Sequence, residues 1–185
     1  MDTFAEIADE RRRLADQLGD LSEEQRATPS LCREWSVQEV VAHLVVPLEV
    51  SSPRIFLAIL ASRGRFARAN VQMARQQAQR PYADLIDTLH RLADKRFTPP
   101  GAGPEAPLTD VLVHGLDICW PLGLVHPVPA ERTKKSLTFS RSRSFQTRWI
   151  RSSTISTSAR KSSGRGPLSP TAMTSLGAGW VKLPV

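Results

Sequence analysis

Apolar residues recur every three or four positions along the first two thirds of the chain, which is the spacing of amphipathic helices. No segment shows a convincing alternation of apolar and polar residues, the pattern of a half-buried strand. The pattern predicts helices over residues 3–19, 36–46, 53–60, 63–80, 81–96 and 107–118. We therefore expect an all-α protein.

Signals at the helix ends sharpen this prediction. Ser36 and Glu39 have the spacing of a capping box, and Trp35 and Val40 have that of a hydrophobic staple, so together they fix the phase of the helix over 36–46. Pro47 is expected to kink or end that helix. Gly19, the Pro/Gly-rich segment 98–104 and the segment 121–123 separate the other helices. Four principal helices with such connections favour an antiparallel four-helix bundle.

One predicted helix, over residues 107–118, carries an unusual polar stripe. Asp110, His114 and Asp117 stand at positions i, i+4 and i+7 of a single helical face, among apolar neighbours. Burying two carboxylates and an imidazole is costly unless the groups are paired or bind a ligand. This stripe is therefore the best candidate for a functional site.

A second histidine lies in the apolar run of the helix over 36–46. His43, together with the Asp-x-x-x-His pair Asp110 and His114, supplies three nitrogen and oxygen ligands. Three protein ligands leave coordination positions open on a divalent metal ion, as in a catalytic site. The alternative is that His43 is a core histidine and that the negative charge of Asp110 is stabilised by the dipole at the N-terminus of its helix.

The charge divides the chain at about residue 133. The formal net charge is +7, but residues 133–185 hold ten Lys and Arg and no acidic residue. Residues 1–132 hold the other 15 basic residues and all 18 acidic ones, a net charge of −3. We therefore expect a helical domain over residues 1–132 and an irregular Ser/Arg-rich basic tail over residues 133–185.

The tail allows three interpretations. It contains 19 Ser and Thr and shows no periodicity. It is a disordered basic extension, an arm that binds nucleic acid, or a frame-shifted remnant of a second domain. We favour the frame shift, because the tail starts within a helical signal over residues 129–137 and then loses all pattern. We rank nucleic-acid binding last, because a patternless basic tail binds DNA whether or not it functions there, and the aromatic residues do not alternate with arginines.

Localisation follows from weaker signals. Cys32 and Cys119 are far apart and in no metal-binding spacing, which favours free thiols in a reducing compartment. The N-terminus shows no signal-peptide pattern, and no apolar run reaches the roughly 20 residues of a membrane helix. We expect a soluble, cytoplasmic protein that does not contact membranes.

Two segments together, Trp35–Leu44 (WSVQEVVAHL) and Leu108–Gly123 (LTDVLVHGLDICWPLG), resemble the mycothiol-dependent maleylpyruvate isomerase family of actinobacteria. This family belongs to the DinB/YfiT-like superfamily of four-helix metalloproteins, and the resemblance covers residues 1–132. It implies a divalent metal, typically zinc, held by His43, Asp110 and His114. The acidic ligand is Glu in the isomerase and Asp here. Asp117 matches an aspartate to which we assign the role of orienting a ligand.

The resemblance implies chemistry that depends on a thiol. The metal would activate mycothiol, a low-molecular-weight thiol, for isomerisation or S-transfer on a small-molecule substrate. The isomerase carries a further α/β domain that contributes an arginine, and residues 133–185 do not resemble it. The alternative is a helical binding module without catalytic activity. The substrate, the catalytic residues and the oligomeric state are not predicted.

Overall fold

Seven helices make up the described part of the chain in a computed structural model, which describes residues 2–32, 35–49, 66–99 and 101–142. They are α1 (Thr3–Leu18), α2 (Glu23–Ala27), α3 (Val37–Glu49), α4 (Phe66–Gln77), α5 (Tyr82–Arg91), α6 (Glu105–Cys119) and α7 (Ala130–Ser140). No strand occurs within these ranges. The all-α class predicted from the sequence is therefore confirmed.

The helices pack around α3, which is apolar on nearly all sides. α3 contacts α2, α4, α5 and α6, while α1 contacts α5 and α6, and α7 packs against α6. The main core includes fully buried residues of four of these helices: Leu14, Leu18, Val40, Val41, Leu48, Leu85, Leu89 and Ile118. Leu85 and Leu89 of α5 therefore face the core. The antiparallel arrangement of a four-helix bundle stays a prediction.

Two helix ends differ from the prediction. α3 does not end at Pro47 but continues to Glu49. Pro47 has no N–H, so the helix loses only the bond to the carbonyl of His43, and burial of Val46 and Leu48 holds the last turn in place. α5 ends at Arg91, five residues before the predicted end, in a series of turns whose carbonyls bind Arg11.

α7 crosses the predicted boundary between the domain and the tail. It begins at Ala130 and ends at Ser140, so residues 133–140, which the charge pattern assigned to an irregular tail, are helical. Arg132 and Lys135 form ion pairs with Asp9, Glu10 and Glu6 of α1. The predictions for the rest of the tail, from residue 143, and for a helix over 53–60 lie outside the described residues.

No helix in the described ranges is both long and apolar enough to cross a membrane.

Candidate metal centre

α3 brings His43 into the interior beside Trp35. The predicted capping box is present, because the backbone N–H of Ser36 donates to Oε2 of Glu39 (2.8 Å) and that of Glu39 donates to Oγ of Ser36 (3.3 Å). The phase that this cap sets places His43 two turns into the helix, where it is 7% exposed. Its ring lies 4.9 Å from the ring of Trp35, centroid to centroid.

α6 supplies the other three predicted residues from one stripe. His114 and Asp117 are buried, whereas the side chain of Asp110 is 36% exposed. The rings of His43 and His114 meet edge to face, with centroids 4.8 Å apart. The structure therefore brings together all four residues that the sequence singled out, at the contact of α3 with α6.

His43, Asp110 and His114 converge through three atoms. Oδ1 of Asp110 lies 3.6 Å from Nε2 of His43 and 3.6 Å from Nε2 of His114. These separations are too long for hydrogen bonds. They are close to the roughly 3.4 Å that separates two ligand atoms around a tetrahedral zinc ion with bonds of about 2.1 Å. The donor set therefore fits a divalent ion, and one side of the group, at Asp110, is open to solvent.

The charges around the group favour an ionised carboxylate. Burial opposes ionisation of Asp110, but the nearby imidazoles of His43 and His114 and the guanidinium of Arg11 outweigh it and lower the pKa of Asp110 to about 2. Burial alone would lower the pKa of His114, yet its bond to Asp117 and the charges of Asp110 and Asp117 raise it. Burial lowers the pKa of Arg11 to about 10.

Asp117 orients His114 from the other side of the ring. Oδ2 of Asp117 lies 3.0 Å from Nδ1 of His114, and an ionised carboxylate can only accept. Nδ1 of His114 therefore carries the proton, and in the neutral ring Nε2 presents its lone pair towards Asp110 and His43. This is how a carboxylate commonly supports a histidine that binds a metal.

Two residues of this centre were missed by the sequence analysis. The Sγ of Cys32 lies 3.0 Å from Oδ2 of Asp117 and 3.5 Å from Nδ1 of His114. Burial raises the pKa of the Cys32 thiol, and the negative charge of Asp117 raises it further. Trp35, predicted only as a staple, also reaches the ring of His114, at 6.1 Å between centroids.

A long-range contact holds Cys32 and Trp35 in place. The backbone N–H of Leu31 donates to the carbonyl of Asp117 (3.1 Å), which is free because Pro121, four residues on, has no N–H. The Ser30 hydroxyl lies 2.8 Å from the carbonyl of Trp35 and 3.1 Å from the backbone N–H of Cys32. No local pattern reveals this loop-to-helix contact, which explains why a role for Cys32 was not predicted.

A second buried polar cluster, also missed, lies between α1 and the segment after α6. His126, to which the sequence analysis assigned no role, has its Nε2 3.0 Å from Oε1 of Glu10 and its Nδ1 3.1 Å from Oε1 of Gln17. Glu10 is fully buried and also pairs with Arg132 (2.7 Å) and Arg13 (3.1 Å). This cluster is a structural ion-pair network joining α1, α7 and the connecting segment.

Residues 7–98 match the family model described as the mycothiol maleylpyruvate isomerase N-terminal domain. The match includes Cys32, Trp35 and His43 but ends before α6, so the Asp110, His114 and Asp117 stripe lies beyond it. No curated protein and no solved structure gives a significant match to the chain.

Proposed function

Because residues 7–98 belong to the mycothiol maleylpyruvate isomerase N-terminal domain family, we propose that this chain binds one divalent metal ion through His43, Asp110 and His114. The observation that carries the proposal is the position of Oδ1 of Asp110, 3.6 Å from Nε2 of each imidazole. Two neutral nitrogens and one carboxylate oxygen suit zinc.

The surrounding residues support such a site. Asp117 holds the proton on Nδ1 of His114 and so keeps Nε2 available. Trp35 packs against both imidazole rings and excludes water from their faces. Oδ1 of Asp110 lies 3.6 Å from Nε2 of each ring, and the partial exposure of the Asp110 side chain leaves a path for a small molecule.

The family and this donor set together support a thiol-dependent reaction as the chemistry. A bound divalent ion supplies Lewis-acid stabilisation of a thiolate at neutral pH. We therefore propose that the chain activates a low-molecular-weight thiol, mycothiol, for isomerisation of, or S-transfer to, a small-molecule substrate.

Zinc titration of the full-length, metal-stripped chain tests the metal site. We expect one zinc per chain for the wild type, and loss of stoichiometric binding for His43→Ala, Asp110→Ala and His114→Ala, because each removes a ligand. His90→Ala is the matched control, since His90 is half exposed, and should bind as the wild type does. Unchanged stoichiometry in both His43→Ala and His114→Ala would refute the site.

The thiol-dependent reaction needs a separate assay on the zinc-loaded chain. Consumption of mycothiol with an electrophilic substrate, or isomerisation of maleylpyruvate in the presence of mycothiol, should depend on the bound ion. A chain that holds zinc but catalyses neither reaction would instead be a non-catalytic binding module.

A further inference from the structure

The Nδ1 side of His114 is closed by a thiol as well as by a carboxylate. Oδ2 of Asp117 accepts two hydrogen bonds, one from Nδ1 of His114 at 3.0 Å and one from the Cys32 thiol at 3.0 Å. Cys32 and Asp117 are each 1% exposed, so bulk water does not reach the thiol donor or the carboxylate that accepts from it. Oδ2 of Asp117 is therefore held between two donors, the Cys32 thiol and the Nδ1–H of His114.

We propose that Cys32 is a positioning residue for the metal centre. Its thiol proton, donated to Asp117, holds Oδ2 on Nδ1 of His114 and so leaves Nε2 of His114 unprotonated and correctly aimed for the ion. The inference rests on the proposed function of the site. It adds a residue that contacts neither the ion nor a substrate and acts through Asp117 and His114.

The geometry separates this role from that of a metal ligand. Cys32 faces Nδ1 of His114, whereas His43 and Asp110 face Nε2 of the same ring. The two ring nitrogens point in different directions from the ring, so an ion bound by His43, Asp110 and Nε2 lies away from Sγ of Cys32. The short approach of Sγ to Oδ2 is that of a thiol hydrogen bond, although the ligand atoms of Cys32, His114 and Asp117 also lie close enough to hold an ion, which the cobalt spectrum below tests.

Backbone contacts of residues 30–32 hold the Cys32 thiol against Asp117. The backbone N–H of Leu31 donates to the carbonyl of Asp117. The Ser30 hydroxyl accepts from the backbone N–H of Cys32 and donates to the carbonyl of Trp35. These contacts use backbone atoms and the Ser30 side chain, so they persist when the Cys32 side chain is changed. Removal of the thiol would leave Oδ2 of Asp117 with one donor and freer to turn from His114.

Three variants of the full-length chain test the proposal. Cys32→Ala removes the donor, Cys32→Ser keeps an O–H donor at the same place, and Cys119→Ala removes the other buried thiol as a matched control for a lost core sulfur. Circular dichroism and thermal melting establish that each variant is folded before it is compared.

Two readouts distinguish a failure of this proposal from a failure of the metal site. The first is the ¹⁵N spectrum of the His114 ring in the metal-free chain at alkaline pH, which reports the tautomer without any ion. We expect the Nδ1–H form in the wild type, Cys32→Ser and Cys119→Ala, and a mixture of both tautomers in Cys32→Ala.

The second readout is zinc affinity by competition with a chromophoric chelator. We expect Cys32→Ala to bind about tenfold more weakly, at the lower end of the loss seen when a residue supporting a ligand is removed. Cys32→Ser should recover most of the affinity, and Cys119→Ala should match the wild type. A wild-type chain that binds no zinc would refute the proposed function. The tautomer experiment would still test whether Cys32 keeps the proton of His114 on Nδ1.

Two results would overturn the positioning role. One is a Cys32→Ala chain with the wild-type tautomer and affinity. The other is a thiolate-to-cobalt charge-transfer band in the cobalt-loaded wild type that is lost in Cys32→Ser, because it would make Cys32 a ligand.

Discussion

Gly115, beside His114 on α6, has no room for a side chain. A Cβ added there would lie 2.7 Å from Nε2 of His126 and 3.2 Å from its Cδ2. His126 cannot move aside easily, since Glu10 and Gln17 hold both of its ring nitrogens. Only glycine allows the segment after α6 to pack against the helix so closely.

Gly115→Ala should therefore destabilise the fold by about 2 kcal/mol, within the range for overpacking a well-packed site. Urea denaturation of the metal-free chain measures this change. Gly103→Ala is the comparison, because its added Cβ would meet only the flexible side chain of Glu105. Equal stability of the two variants would show that His126 can move at little cost.

At the scale of residues, helical spacing identifies only those polar residues that share one face of a single helix. Asp110, His114 and Asp117 are found from their spacing, because a helical period places them on one face whatever the rest of the fold does. Cys32 cannot be found in this way. Its position depends on the bond from Leu31 to Asp117, which joins residues 86 positions apart.

Among the elements, α7 departs most from the predicted organisation, because it crosses the boundary placed at residue 133. A helical signal runs over residues 129–137, but the change in charge and composition placed the predicted boundary at residue 133, inside this helix. Ion pairs hold this helix in place, because Arg132 and Lys135 contact Glu10 and Glu6 on the acidic face of α1. By contrast, α1, α3 and α6 were predicted as helices because each carries buried apolar residues at helical spacing.

Arg132→Met tests how firmly these ion pairs hold α7. Glu10 is fully buried and would lose its bond to Arg132, so we expect a loss of about 3 kcal/mol in the free energy of unfolding. Lys135→Met removes the more exposed pair with Glu6 and should cost about 1 kcal/mol or less. Chemical denaturation of both variants measures the difference, and similar small losses would show that Arg132 is dispensable.

For the molecule as a whole, the lowered pKa of Glu10 predicts that the free energy of unfolding falls in acid. Burial opposes its ionisation, but the nearby His126 imidazole, the hydrogen bond from Arg132 and the charge of Arg13 outweigh burial and hold the pKa of Glu10 below its usual 4.5. The unfolded chain therefore takes up this proton first as the pH falls. The stabilisation is complete above about pH 4.5 and is lost as the pH falls through the lower pKa of the folded chain.

Thermal melting of the wild type and Glu10→Gln across the acid range checks the direction of this pH dependence. The wild type should be the more stable at neutral pH, and the gap in Tm should narrow as the pH falls below about 4.5, because the carboxylate is then neutralised in both states. Glu23→Gln, at an exposed position, should leave the acid profile of the wild type unchanged. A gap that widens in acid would contradict the assignment.

Pro121 has a further consequence, which concerns the exchange of backbone protons with solvent. Because Pro121 brings no N–H, the carbonyl of Asp117 is left to the amide of Leu31, and that amide becomes a reporter of whether its loop is seated on α6. Its deuterium uptake can be followed in the metal-free and metal-loaded chain alike. Deuterium uptake at the Leu31 amide therefore measures how often the loop that carries Cys32 separates from α6.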